Sequence, residues 1–297
     1  MTEYRIRSGE YTAAVETVAG ALRELHHRGR DLIVPFPEDG PIPDYRGIIA
    51  APWPNRIADG RYTFDGSERE LAINEPERDC SLHGLSFSLD WTLVSLGQSE
   101  VKLSCMILPT AGYPHTLRIE VHYVLSDAGL HSSVTAENLG GNVAPYGVCP
   151  HPYLLAGPAP LDDWTLEIPA RTFLQVTPER LLPTNLRPLE GHPFDFRKPA
   201  VIGAVKMDHA FTDITFQDGR ARLLVRDPGG SGVGMAWDRE CQWLQIYTGD
   251  KEPPSPNRFG LAVEPMTCPP NAFNSGVDLI RLDPGARHQA GWSIFAI

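Results

Sequence analysis

Two titratable residues in this sequence sit where the backbone leaves them little freedom. His151 lies between two prolines in Cys149-Pro150-His151-Pro152-Tyr153, so its imidazole is aimed before anything binds. Glu264 closes the apolar run Leu261-Ala262-Val263 and is followed at once by Pro265. Because proline has no N–H for a ladder, the expectation is a buried strand that stops there with a rigidly held carboxylate at its end. An imidazole and a carboxylate fixed in this way can move a proton on and off a bound molecule. Other segments supply hydrogen-bonding groups beside residues that stiffen or bend the chain. They are Asn55 and Arg56 after Pro52-Trp53-Pro54, His83 before Gly84, Asp208 in Met207-Asp208-His209-Ala210-Phe211, and Gln245 on the run Trp243 to Tyr247. A guanidinium can fork onto neighbouring hydroxyls, and the Trp53 indole can offer an apolar face to a sugar ring. Gly84 permits either a tight turn or the close approach of a ligand. Each residue alone also fits a plainer role: an acid capping a solvated strand end, a surface arginine, a histidine satisfied within the core, an acid in a turn.

Several chemistries are excluded. There is no G-x-S-x-G elbow for a serine hydrolase and no glycine-rich phosphate loop for a nucleotide or dinucleotide. No organic cofactor is expected. Cys149 and His151 have no second ligand pair at metal-binding spacing, so no metal is expected either. The five cysteines are scattered and odd in number, which argues for buried reduced thiols over a disulfide framework. A net charge of −11 repels phosphate backbones and anionic headgroups, which excludes nucleic acid and membrane as partners. The N-terminus has no signal-peptide pattern, and the expectation is a cytoplasmic protein, monomer or homodimer.

The elements that must position these groups are strands. The chain carries 28 prolines and 27 glycines along its whole length, which means frequent turns between short elements. Leu117, Ile119, Val121, Tyr123 and Leu125 alternate with Arg118, Glu120, His122 and Val124, the period of two that puts one face on a core. Asp65-Gly66 predicts a hairpin turn. Residues 13 to 27 could form a helix, but Gly20 and Gly29 favour antiparallel strands, with His26 and His27 solvated at a turn. The reading is an all-β chain, a large antiparallel β-sandwich forming a single domain over residues 1 to 297.

Five segments, in order and spacing, resemble the aldose 1-epimerase (galactose mutarotase) family. They are NRIADGRYTFDG (Asn55 to Gly66), INEPERDCSLHGL (Ile73 to Leu85), HPY (His151 to Tyr153), MDHAF (Met207 to Phe211), and AVEP with PPNAFN (Ala262 to Asn274). The resemblance implies a mutarotase-type β-sandwich and exchange of the anomers of a free hexose. It implies Glu264 as catalytic base and His151, as imidazolium, as acid. Arg56, His83 and Asp208 would hold the sugar hydroxyls, with Asn55 and Gln245 as weaker candidates. PWPNRIADGRYTFDG also resembles a bacterial branch associated with sulfosugar breakdown, and a sulfosugar or hexose 6-phosphate stands as the alternative substrate. Two other roles fit the same residues: a glycoside hydrolase with Asp208 and Glu264 as its two carboxylates, and a sugar-binding protein without chemistry.

Overall fold

The computed structural model describes residues 2–252, 255 and 257–297. Two antiparallel sheets dominate. The larger has nine strands in the order Thr92–Leu96, Glu100–Ile107, Leu117–Ser126, Gly129–Asn138, Arg287–Ala296, Gly232–Trp237, Ala221–Arg226, Thr165–Glu167 and Ala200–Val201. The smaller has six: Tyr153–Leu154, Leu261–Met266, Trp243–Tyr247, Asp208–Thr212, Thr172–Val176 and Pro183–Pro188. They form the β-sandwich that the period-two pattern predicts. Along Leu117–Ser126 the apolar set from Leu117 to Leu125 is buried while the intervening residues stay partly exposed. These side chains share one core with Leu244, Ile246, Leu261 and Val263 of the smaller sheet. All five cysteines are free and buried. Among the described residues no helix is long and apolar enough to cross a membrane.

Local chemistry explains most of the turns. The hairpin joining Arg61–Phe64 to Ser67–Glu70 turns on Asp65 (φ 48°) and Gly66 (φ 75°), the two positive angles that a type I′ turn requires. Residues 13 to 27 are the strands Tyr11–Glu16 and Leu22–His27, paired antiparallel, so the helical alternative falls. His26 and His27 are half-buried, not solvated. The His26 Nδ1 lies 2.8 Å from the Asp31 carboxylate, and the His27 ring packs 4.4 Å from that of Tyr11.

One expectation fails instructively. The strand carrying Glu264 does not stop at Pro265 but runs on to Met266. On the side away from Trp243–Tyr247, the Val263 and Thr267 N–H groups donate to Pro152 O and Val148 O. Pro265 falls between them and has no N–H to leave unsatisfied, so the ladder tolerates it. The close approach that Gly84 permits is to the chain itself. A Cβ there would sit 2.1 Å from Ala51 O, at φ +76°. Backbone atoms cannot yield as a side chain does, and Gly84→Ala is expected to cost about 2–4 kcal/mol, read as a lower denaturant midpoint; an unchanged midpoint would show that the strands here can part.

Candidate active site

The floor of the site is set by register on the smaller sheet. Asp208, Tyr247, Ala262 and Tyr153 are partners across four strands, and the next row on the same face is Ala210, Gln245 and Glu264. The row between them, Ile246 and Val263, points into the main core. Alternation therefore forces Glu264, Gln245 and Asp208 to the opposite face, where they line a cavity of about 260 Å³ together with Arg56, His83 and His151. That is below the ~300–1,000 Å³ of pockets for drug-sized ligands, so it suits one small molecule. A larger groove of about 780 Å³, beside Arg171 and Arg222, contains none of the residues selected from the sequence.

The walls come from segments remote in sequence. His151 is fixed through its backbone: its N–H donates to Ile48 O at 3.1 Å, and its carbonyl accepts from Gly47 N–H at 2.8 Å. Asn55 (φ 54°) and His83 (φ 59°) both occupy the left-handed region, which costs a non-glycine residue about 1 kcal/mol or more. A hydrogen bond of 3.0 Å from His83 N–H to Asn55 O helps to hold both there. Next to Asn55, the Arg56–Ala58 strand pairs with Cys80–Leu82. This pairing puts Arg56 and His83 on one wall.

Within the cavity, His151 Nε2 lies 3.4 Å from Glu264 Oε1, and both residues are nearly sealed from solvent, at 5% and 2% exposed. The Cys149 thiol donates to the other Glu264 oxygen at 3.7 Å. Arg56 is held in a fork by Glu75, with Nε and Nη2 donating at 2.7 and 2.8 Å, and its Nη2 is 3.8 Å from Asp208. Gln245 Nε2 donates to Asp208 Oδ1 at 2.6 Å. The His83 ring meets the His151 ring edge-on, at 4.8 Å between centroids, and Tyr45 packs 4.9 Å from His83. All seven residues selected from the sequence thus meet at one cavity. Asn55 faces its neighbour: its Oδ1 accepts from the Arg56 N–H at 2.9 Å.

Burial sets the protonation of the central pair. Removal from water, with the Asp208 charge adding to it, holds the Glu264 carboxyl well above its ordinary range. Removal from water also pushes His151 down to about 4, and His83 well below the usual imidazole value, with His151 and Arg56 adding to the effect. Burial therefore favours the uncharged form of both groups, a protonated carboxyl at Glu264 and a neutral imidazole at His151. This direction runs against the imidazolium expected at His151. Four buried polar atoms of residues lining the cavity have no hydrogen-bond partner among the described residues: Gln245 Oε1, His83 Nδ1, His151 Nδ1 and Arg78 Nε. Such atoms cost roughly 1–3 kcal/mol each unless something satisfies them.

Trp53 offers no face to a sugar. It is 1% exposed and packs in the core against Phe273, 5.5 Å away. The aromatic residues that do line the cavity are Tyr45, Tyr153 and Tyr247, and its carboxylates include Glu75, none of which sequence reasoning selected. Glu75 carried a usable signal, since it precedes Pro76 as Glu264 precedes Pro265. The tyrosines carried none. His83, His151 and Glu264 bring donor atoms within 4.8 Å of one another, a grouping that linear spacing concealed.

The fold recurs in known proteins. The Escherichia coli (strain K12) protein YihR, an uncharacterized protein, is 36% identical over 292 residues, covering 98% of this chain and 92% of its own. Galactose mutarotase of Sus scrofa is 35% identical over 282 residues, covering 85% of this chain and 79% of its own. Among solved structures, the GalM/aldose epimerase homologue from C. elegans superposes with a TM-score of 0.86 at 19% identity, covering 100% of this chain and 98% of that one. The galactose 1-epimerase from Lactobacillus acidophilus NCFM gives 0.81 at 18%, covering 97% and 91%; both likenesses show a shared fold. Residues 2–294 match the family described as Aldose 1-epimerase, and the chain belongs to that family.

Proposed function

We propose that this protein, acting as one catalytic unit in the cytoplasm, interconverts the α and β anomers of a neutral hexose by acid/base ring opening. The observation that carries the reading is the buried His151–Glu264 pair, 3.4 Å apart, at a cavity sized for one small molecule. Glu264 takes the proton of the C1 hydroxyl while His151 gives one to the ring oxygen. Rotation about C1–C2 follows, and the two steps reverse on the other face of the aldehyde. The pair carries one proton while the cyclic sugar is bound: on His151 at the start, on Glu264 once the ring is open. Burial favours the protonation of the open-chain stage, and sugar hydroxyls bonding to the charged form draw the proton onto His151. Arg56, His83, Asp208 and Gln245 orient the hydroxyls, and Asn55 acts through Arg56. The cyclic hemiacetal and the open-chain aldehyde are at the same oxidation level, so the reaction calls for no redox partner.

A neutral sugar fits better than a sulfonate or phosphate. The cavity lining has five carboxylates against three cations, Arg56, Arg78 and Lys251. Each cation already faces a carboxylate: Glu75 for the two arginines, Asp44 for the lysine. A glycoside hydrolase is disfavoured because Asp208, the second acid it needs, is engaged by Gln245 and Arg56. Polarimetry or NMR of freshly dissolved α-glucose, α-galactose, sulfoquinovose and glucose 6-phosphate tests the assignment. Faster equilibration of the neutral sugars is expected, with no release from chromogenic glycosides. Rates at the uncatalysed background for all four would end it.

The pair also fixes the pH profile. Below about 4, where His151 gains a second proton for the pair, the base is lost. Above the raised range of Glu264 the single proton is lost instead. The kcat/KM profile should therefore be flat between these two limits and fall only outside them. An inflection near ~6.5, the value of an unperturbed imidazole, would show that His151 titrates alone.

A further inference from the structure

The geometry points to an inhibitory site for one divalent transition-metal ion, of the zinc type, formed by His83, His151 and Glu264. Among the described residues these three bring one donor atom each within 4.8 Å of one another, all buried. A zinc ion bound at ~2.0–2.2 Å to nitrogen and oxygen places neighbouring donors roughly 3.3–3.5 Å apart in a tetrahedron. The His151 Nε2 to Glu264 Oε1 separation of 3.4 Å already is one such edge. The His83 donor lies within 4.8 Å of both, so closing the figure requires its ring to move inward.

Two imidazoles and one carboxylate are a donor set that selects zinc, cobalt, nickel or copper over magnesium and calcium, which prefer all-oxygen shells. Among the described residues, Nδ1 of both His83 and His151 lacks a partner, so no second hydrogen bond from them fixes which nitrogen faces the cavity. Arg56, the cation alongside, is already faced by Glu75 and Asp208. The open side of the cavity leaves a fourth position for water. An ion seated there ties up the imidazole and the carboxylate together, so it excludes the sugar; the inhibitory consequence rests on the mutarotase reading, whereas binding itself does not.

The intact chain, stripped by chelator and dialysed, is titrated with cobalt(II) and zinc(II) salts and followed by visible absorption and calorimetry. One cobalt per chain is expected, with the absorption of a four-coordinate ion, displaced by one equivalent of zinc. Galactose should weaken the apparent zinc affinity, and zinc should slow mutarotation until chelator is added. Loss of a ligand costs more than the roughly tenfold seen for outer-sphere partners, so His83→Asn and Glu264→Gln should each weaken zinc by more than tenfold, while His26→Asn leaves it unchanged. Circular dichroism establishes that each variant is folded; should His83→Asn not fold, the isosteric Glu264→Gln decides. Absence of a one-to-one event in the wild-type chain, or unaltered binding in folded Glu264→Gln, overturns the site. Zinc binding without mutarotation of any sugar would instead sink the mutarotase reading and leave the metal site standing.

Discussion

Glu264→Gln is expected to lower kcat about 10²–10⁴-fold, the contribution of one positioned proton-transfer group, with KM little changed because the amide keeps the shape of the cavity wall. The same substitution should stabilise the fold. Burial raises the Glu264 pKa above its unfolded value, so its contribution is most favourable below about 4.5 and is lost as pH rises toward the folded value. Each unit of displacement is worth about 1.4 kcal/mol, and glutamine avoids this loss. Thermal midpoints of variant and parent should diverge as pH rises from 4 to 8, the variant above. Polarimetry and melting curves on the same preparations check both halves. A variant that still equilibrates α-galactose at a tenth of the parent rate would remove Glu264 from the chemistry.

Glu75→Ala is expected to have a large effect on both stability and turnover. Arg56 is almost fully buried and donates both of its short charged hydrogen bonds to Glu75. Removing one partner of such a pair leaves a buried charge uncompensated, at a cost of about 3–5 kcal/mol. Asp208 remains 3.8 Å from the guanidinium, which puts the expected loss at about 3 kcal/mol, or roughly 5 °C in Tm for a chain of this size. Mutarotation should fall as well, through both kcat and KM, because a guanidinium released from its fork no longer orients the sugar. A denaturant midpoint within error of the parent would show that Asp208 and Asn55 suffice to hold Arg56.

Much of the fold was legible because a strand writes its burial into alternate residues. Leu117 to Leu125 and Asp65-Gly66 needed nothing beyond that rule and the geometry of one turn. The site residues were legible for a different reason: His151, Glu264 and Arg56 each sit against prolines, which restrict the backbone locally and so leave a local mark. What escaped depends on the tertiary arrangement. Trp53 has the same proline neighbours as a platform on the surface, and only the packing of Phe273 decides that it is internal. The protonation of His151 depends on how completely other segments exclude water from it, which no window of sequence contains. The mid-strand placing of Pro265 follows from what lies opposite it, Cys149–Pro150 between two accepting carbonyls.

The cavity is walled by residues between Tyr45 and Glu264, with no single hairpin or loop supplying both proton-transfer groups. Turnover should therefore vanish in step with global unfolding rather than before it: in a denaturant series, loss of mutarotation and loss of tryptophan fluorescence signal should trace one curve. Fragments of the chain, however well they collapse, should be silent as enzymes.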